Sequence, residues 1–224
     1  MPVSGLYLTQ VQHLQESVNA MGKLAGELMD DAVKALLNQD AALAAATIER
    51  DNELDRLDDE HEEQIVQVIA RNQPVARDLR LLVALLRTNT NIERVGDITV
   101  NMAQAALRLA DKEPLHSRVD IPRTYQLVRA MWDDALKAFL NMDDLGAAQL
   151  RSRDDQVDEV NHQTINRLIQ ISMEEPKSVF QTTNLIGISK SLEKIADQAV
   201  DIADEVVYAK RGEFRHARTL GTTA

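Results

Sequence analysis

One stretch of this chain is written twice. Asp30-Asp31-Ala32-Val33-Lys34-Ala35-Leu36-Leu37-Asn38-Gln39-Asp40 reappears as Asp133-Asp134-Ala135-Leu136-Lys137-Ala138-Phe139-Leu140-Asn141-Met142-Asp143. The same register carries Arg50-Asp51 onto Arg153-Asp154 and Leu54-Asp55 onto Val157-Asp158. Three residues are lost around the second proline loop, after which Ile92-Glu93-Arg94-Val95-Gly96-Asp97 matches Leu192-Glu193-Lys194-Ile195-Ala196-Asp197. A repeat of this length means that one supersecondary unit has been used twice, so both halves must satisfy the same packing rules.

The unit is helical. Pro2, Pro74, Pro114, Pro122 and Pro176 all fall between apolar stripes and none inside one, which is where proline is tolerated in a helical chain. Leu14, Val18, Met21, Leu24, Ala25, Leu28, Ala32, Leu36 form one stripe at helical spacing, and Leu192, Ile195, Ala199, Ile202, Val206 another. No segment alternates with period two for long enough to read as a strand. Aromatics are only 3% of the chain, which suits helices packed through aliphatic side chains better than a sheet sandwich. The patterning predicts helices at about 7–38, 41–72, 75–110, 122–141, 144–172 and 177–211, with ends good to ~2–4 residues. The short joints at Asn38-Gln39-Asp40 and Asn72-Gln73-Pro74 make successive helices antiparallel. The fold class expected is all-α: two tandem three-helix bundles over residues 1–110 and 122–211. A linker at 111–121 joins them, mixing charges of both signs with His116 and Pro114, and a tail follows at 212–224. Trp132 and Phe139, seven apart, are expected in the core, and Gly22 and Gly26 are expected where two helices approach closely.

The chemistry lies in repeated carboxylates. The second helix of each half carries Asp51 and Asp55, or Asp154 and Asp158. The third carries Glu93 and Asp97, or Glu193 and Asp197. Each pair is spaced i,i+4 and so shares one helix face, where like charges cost a few tenths of a kcal/mol. A bound cation offsets that cost. Oxygen ligands of this kind suit Mg, Ca, Mn or iron better than soft metals, and the expected cofactor is a divalent or ferric metal ion (Mg, Mn, Zn or Fe). Asn101 and Asp201, one turn further on, could extend the clusters. Between the halves other surface positions have drifted, Glu49 against Ser152 and Asp58 against Asn161, while the four acidic positions have not.

Other activities are disfavoured. A net charge of -11 repels nucleic-acid phosphates and anionic lipids, and the basic segment Lys210, Arg211, Arg215, Arg218 reads as a solvated tail. No cysteine is present, which removes disulfides, thiolate sites and cysteine nucleophiles. No secretory signal opens the chain and no apolar run approaches a membrane span, so a soluble, cytoplasmic protein is expected. There is no Walker A loop, no G-x-G-x-x-G and no G-x-S-x-G. A carboxylate-bridged di-iron bundle is the enzyme alternative, because Glu159-x-x-His162 and Asp58-x-x-His61 approximate its ligand spacing. In the repeat register, however, His61 falls opposite Thr164 and His162 opposite Asp59, so the two are out of step. Both histidines are expected to be exposed or beside the acidic patch.

Glu93-Arg94-Val95-Gly96-Asp97-Ile98-Thr99-Val100-Asn101, and Glu193-Lys194-Ile195-Ala196-Asp197 running on to Val206-Val207-Tyr208, resemble the E/D-x-x-x-D signature of the PhoU family. The resemblance covers roughly residues 9–211. It departs from the family pattern in having Ala196 where the first motif has Gly96, and in a tail after Arg211 that matches nothing. The resemblance implies two three-helix bundles with multinuclear metal clusters at Asp51, Asp55, Glu93, Asp97, Asp154, Asp158, Glu193 and Asp197. It implies a non-enzymatic negative regulator of the phosphate-starvation response, acting between the Pst phosphate transporter, through its ATPase subunit, and a PhoR-like sensor histidine kinase. A homodimer is the expected assembly, with no nucleic acid and no membrane insertion. The alternative within the same fold is a metal-free helical adaptor serving another transporter.

Overall fold

The structure, a computed structural model, describes residues 5–212. The N-terminal Met1-Pro2 and the tail residues Arg215 and Arg218 lie outside the described residues. Six long helices succeed one another: α1 (Gly5–Asn38), α2 (Ala41–Asn72), α3 (Ala76–Leu109), α4 (Ile121–Asn141), α5 (Asp144–Glu174) and α6 (Val179–Arg211). Short 3-10 turns sit at His116–Arg118 and Pro176–Ser178. There is no strand among the described residues. The all-α expectation therefore holds, with helix ends within about two residues of those read from periodicity.

The repeated segment owes its persistence to a turn. α1 ends on Gln39 and α4 on Met142, both left-handed with φ of 54° and 51°. The next residue, Asp40 or Asp143, caps the following helix. Asp40 accepts from the Leu43 amide at 2.9 Å, and Asp143 from the Leu145 and Gly146 amides at 3.2 and 3.0 Å. A single left-handed residue reverses the chain and a carboxylate satisfies the exposed amides beyond it. Arg50 and Arg153 recur for a related reason. Each reaches back to the preceding helix, Arg50 to Asp31 at 2.8 Å and Arg153 to Asp134, pinning α2 on α1 and α5 on α4.

Within each half the three helices pack on one another, α2 lying against α1 and α3, and α5 against α4 and α6. The halves do not remain separate bundles. α1 also packs on α4, and α3 on α6, so these four helices build one central layer flanked by α2 and α5. Cross-helix bonds give its direction. Gln15 of α1 donates to the Phe139 carbonyl at 2.8 Å, the Trp132 indole to the Gly22 carbonyl at 2.9 Å, and Tyr125 to Asp30. Arg108 of α3 meets Asn184 of α6 near one end, and Arg87 meets Glu205 near the other. Both seams are thus antiparallel, and the halves are related by a near-twofold across the helix axes. Gly22 and Gly26 lie in the α1–α4 seam as expected: a Cβ on Gly22 would stand 2.4 Å from Leu136 Cδ2, and one on Gly26 3.0 Å from the Arg129 guanidinium.

The apolar stripes all turn into this shared interior. Val18, Leu28, Leu85, Ile92, Trp132, Phe139, Leu192 and Ile195 are buried in one continuous cluster drawn from both halves. Each such side chain contributes ~1.5–3 kcal/mol over leaving it in water. Ile121 belongs to the cluster too. The segment assigned to the linker therefore ends one residue early, because Asp120 caps α4 by accepting from the Arg123 amide at 3.3 Å. Among the described residues no helix is long and apolar enough to cross a membrane.

Candidate metal centres

In the first half α2 and α3 bring the four singled-out carboxylates within electrostatic reach of one another. Asp51 is 9% exposed, and burial together with the charges of Asp55 and Asp97 pushes its carboxyl up to about 6. Glu93 is also raised, by burial and then by Asp97, Asp58, Asp55 and Asp51. The second half repeats this on α5 and α6. Asp154 is pushed up to about 6 by burial and by Asp197, Asp158, Asp155 and Glu193. All eight positions thus fall into two patches of four, one in each half. A carboxylate that leaves water among other carboxylates holds its proton longer, and a nearby positive charge reverses that preference.

Gly96 shows how Asp51 is accommodated. A Cβ at Gly96 would lie 2.5 Å from Asp51 Oδ1 and 2.9 Å from Leu54 Cδ1, so glycine makes the space for the carboxylate. In the second half Ala196 occupies that place, fully buried, and Asp154 stands further out than Asp51.

The sequence reading missed one member of the first patch. Asp58 is half-buried, and its carboxyl is raised by burial, then by Glu62 and Asp59 and more weakly by Asp55, with His61 opposing. It adds its charge to that felt by Glu93. The spacing Asp51, Asp55, Asp58 is i, i+4, i+7 and places all three on one face, a signal hidden because Asn161 replaces Asp58 in the other half. A buried relay orients Asp58. Asn89 donates to its Oδ1 at 2.7 Å and to its carbonyl at 2.9 Å, which turns the Asn89 carbonyl oxygen toward His61 Nδ1 at 3.0 Å. His61 Nδ1 therefore carries a proton, and Nε2 lies 2.6 Å from Ser17 Oγ.

His61 is accordingly not exposed, as one reading of the sequence had it. It is 2% exposed and reaches the patch through Asn89. His162 is exposed on α5, so the two histidines do not share a core. In the second half Asn161 donates to Glu193 Oε2 at 2.6 Å and accepts from Ser189, so a neutral amide stands where the first half has a carboxylate. Asn101 donates to the Asp97 carbonyl at 2.8 Å along its own helix.

All eight donors are carboxylates, and carboxylate oxygen is the donor that hard cations take. Asp51 Oδ1 is buried without a hydrogen-bond partner, an arrangement that costs ~1–3 kcal/mol or more for a charged oxygen unless something satisfies it. Among the described residues no three His, Asp or Glu side chains are drawn in tightly enough to enclose a single ion. The carboxylates sit as open clusters on neighbouring helices.

A family model described as the PhoU domain matches residues 18–106 and again residues 121–206. The chain belongs to the PhoU family. Among its relatives, the phosphate-specific transport system accessory protein PhoU homolog of Pseudomonas aeruginosa is 31% identical over 96% of this chain and 89% of its own length. The Caulobacter vibrioides homolog of the same description is 33% identical over 92% of this chain and 90% of its own. The crystal structure of PhoU from Pseudomonas aeruginosa superposes with a TM-score of 0.88 at 30% identity, covering 92% of this chain and all of that one (100%). PhoU from Streptococcus pneumoniae, described as a phosphate transport system regulatory protein, shares the fold with a TM-score of 0.87 at 24% identity, over 93% and 98% of the two chains. The two matched PhoU segments carry one acidic patch each.

Proposed function

We propose that this PhoU-family chain is an accessory regulator of phosphate transport that restrains the phosphate-starvation response. It acts as a non-enzymatic adaptor between the ATPase subunit of a Pst phosphate transporter and a PhoR-like sensor kinase. The relatives' description as phosphate-specific transport system accessory proteins supports the setting. The observation that carries the molecular part is the pair of carboxylate patches, one per repeat, each with an aspartate whose carboxyl burial pushes up to about 6, and with the unpartnered Asp51 oxygen inside the first. Asp51, Asp55, Glu93 and Asp97, joined by Asp58, would hold hard cations in the first half. Asp154, Asp158, Glu193 and Asp197 would do so in the second. A bound cation supplies charge neutralisation and ties each outer helix to its inner neighbour. The chain itself contributes rigid helical faces, and control of a kinase by such faces requires them to bind its two states unequally.

Two measurements test the reading. Purified protein is expected to carry divalent or ferric ions by elemental analysis, and Asp97→Ala with Asp197→Ala to remove most of them. Unchanged metal content in that variant would sink the site assignment. In cells, deletion of the gene is expected to raise alkaline phosphatase activity in abundant phosphate, with silence restored by the wild-type copy. A deletion strain that stays silent would count against the regulatory role. Restoration by the metal-site variant as well would favour the metal-free adaptor.

A further inference from the structure

The near-twofold between the halves is broken on the α3–α6 seam, and the break is a cavity. At one of the two related places Arg87 of α3 reaches across to α6. Its guanidinium stands 5.1 Å from the centroid of the Tyr208 ring, and its Nη1 lies 3.4 Å from the Glu205 carboxylate. The repeat register maps Arg87 onto Gly187, Glu205 onto Ala105 and Tyr208 onto Arg108. These three replacements lie together at the other place, where they line a cavity of about 460 Å³. A cation, an anion and an aromatic ring that fill the seam on one side are exchanged for glycine, alanine and arginine on the other.

The exchange also changes the charge. Arg108 and Lys194 line the cavity, and none of its described lining residues is acidic, in a chain whose net charge is -11. Arg108 is braced from the side, its Nε donating to Asn184 Oδ1 at 2.8 Å, which leaves both terminal nitrogens for a ligand. Thr183 and Ser191 add hydroxyls, while Ile98 and Ala105 supply an apolar wall. A guanidinium fork beside an ammonium and two hydroxyls is oxyanion chemistry, and phosphate oxygens match the fork two at a time. The volume lies within the ~300–1,000 Å³ usual for small-molecule sites, larger than a bare oxyanion needs.

We infer that this cavity binds a phosphorylated small molecule, its phosphoryl oxygens held by Arg108 and Lys194 and its remainder against Ile98 and Ala105. None of the eight carboxylates lines the cavity, and chelator treatment keeps its test apart from their metal content. Titration calorimetry of the full, chelator-treated chain with adenosine triphosphate, inorganic phosphate and sulfate reads it directly. Saturable binding of a phosphate probe at one per chain is expected, weakened at least tenfold by Arg108→Ala and by Gly187→Leu. The second variant fills the cavity at a position where a Cβ meets no atom within 4 Å, and both are to be checked for unchanged helicity by circular dichroism. Binding of adenosine triphosphate but not inorganic phosphate identifies a nucleotide-sized ligand. Equal binding of the two assigns the site to the free anion and overturns the phosphorylated ligand. The inference is overturned if neither probe binds, if sulfate binds as well as they do, or if both variants bind like the parent.

Discussion

Burial and like charge act in the same direction on Asp51 and Asp154, and the consequence can be measured. Both carboxyls are pushed up to about 6 in the folded chain, against about 3.9 when unfolded. Between those values the folded state binds more protons than the unfolded one, so stability falls as pH rises. The penalty is absent below about pH 4 and fully present above about pH 6. Chelator-treated protein is therefore expected to lose less melting temperature between pH 4.5 and 7 when Asp51→Asn and Asp154→Asn are introduced. Paired surface carboxylates act with the opposite sign, so the comparison with the variant isolates these two. Identical pH slopes in parent and variant would show that the patches are not strained. At this scale the eight acids were legible from the repeat, because both halves retain them. Asp58 was not, because Asn161 erased the match, and neither was the burial of His61, which depends on Asn89 and Ser17 from two other helices.

Among the elements, the α1–α4 seam shows what helix periodicity leaves open. Trp132 was readable as a core residue from its stripe, and it is fully buried. That it leans on α1 and donates to the Gly22 carbonyl was not, since the partner lies 110 residues away in sequence. Trp132→Phe forfeits that bond and some ring volume, and is expected to cost ~1–3 kcal/mol by urea denaturation. A change within ~0.5 kcal/mol, the range of an ordinary surface substitution, would mean that the indole does not support the seam. Helix ends were legible where the chain carries its own punctuation: Asp40 caps α2 and Asp143 caps α5, and Gln39 and Met142 take the left-handed turn. The start of α6 was read too early. Proline at the first position suits a 3-10 turn as well as an α-helix, and Pro176–Ser178 forms the turn.

For the whole molecule, the central question is whether two repeats make two folding units. Their apolar residues form one cluster through the α1–α4 and α3–α6 seams, so neither half buries its interior alone. Heat or urea is expected to unfold the chain in a single transition. The fluorescence of Trp132, the one tryptophan, should change at the same midpoint as the far-ultraviolet circular dichroism. Two separated midpoints would show that the halves unfold independently. The sequence by itself determined the helical class, the six elements, their hairpin turns and the faces on which the carboxylates stand, because caps, prolines and stripes act within a few residues of one another. Only the tertiary structure decided that the trios fuse antiparallel into one core, that Asp58 joins the first patch, and that the α3–α6 seam is plugged on one side and open on the other. An apolar stripe states that a face must be covered, but every apolar face is an equally good solvent for another. Which one covers it is settled by the shapes and bonds of residues a hundred positions apart.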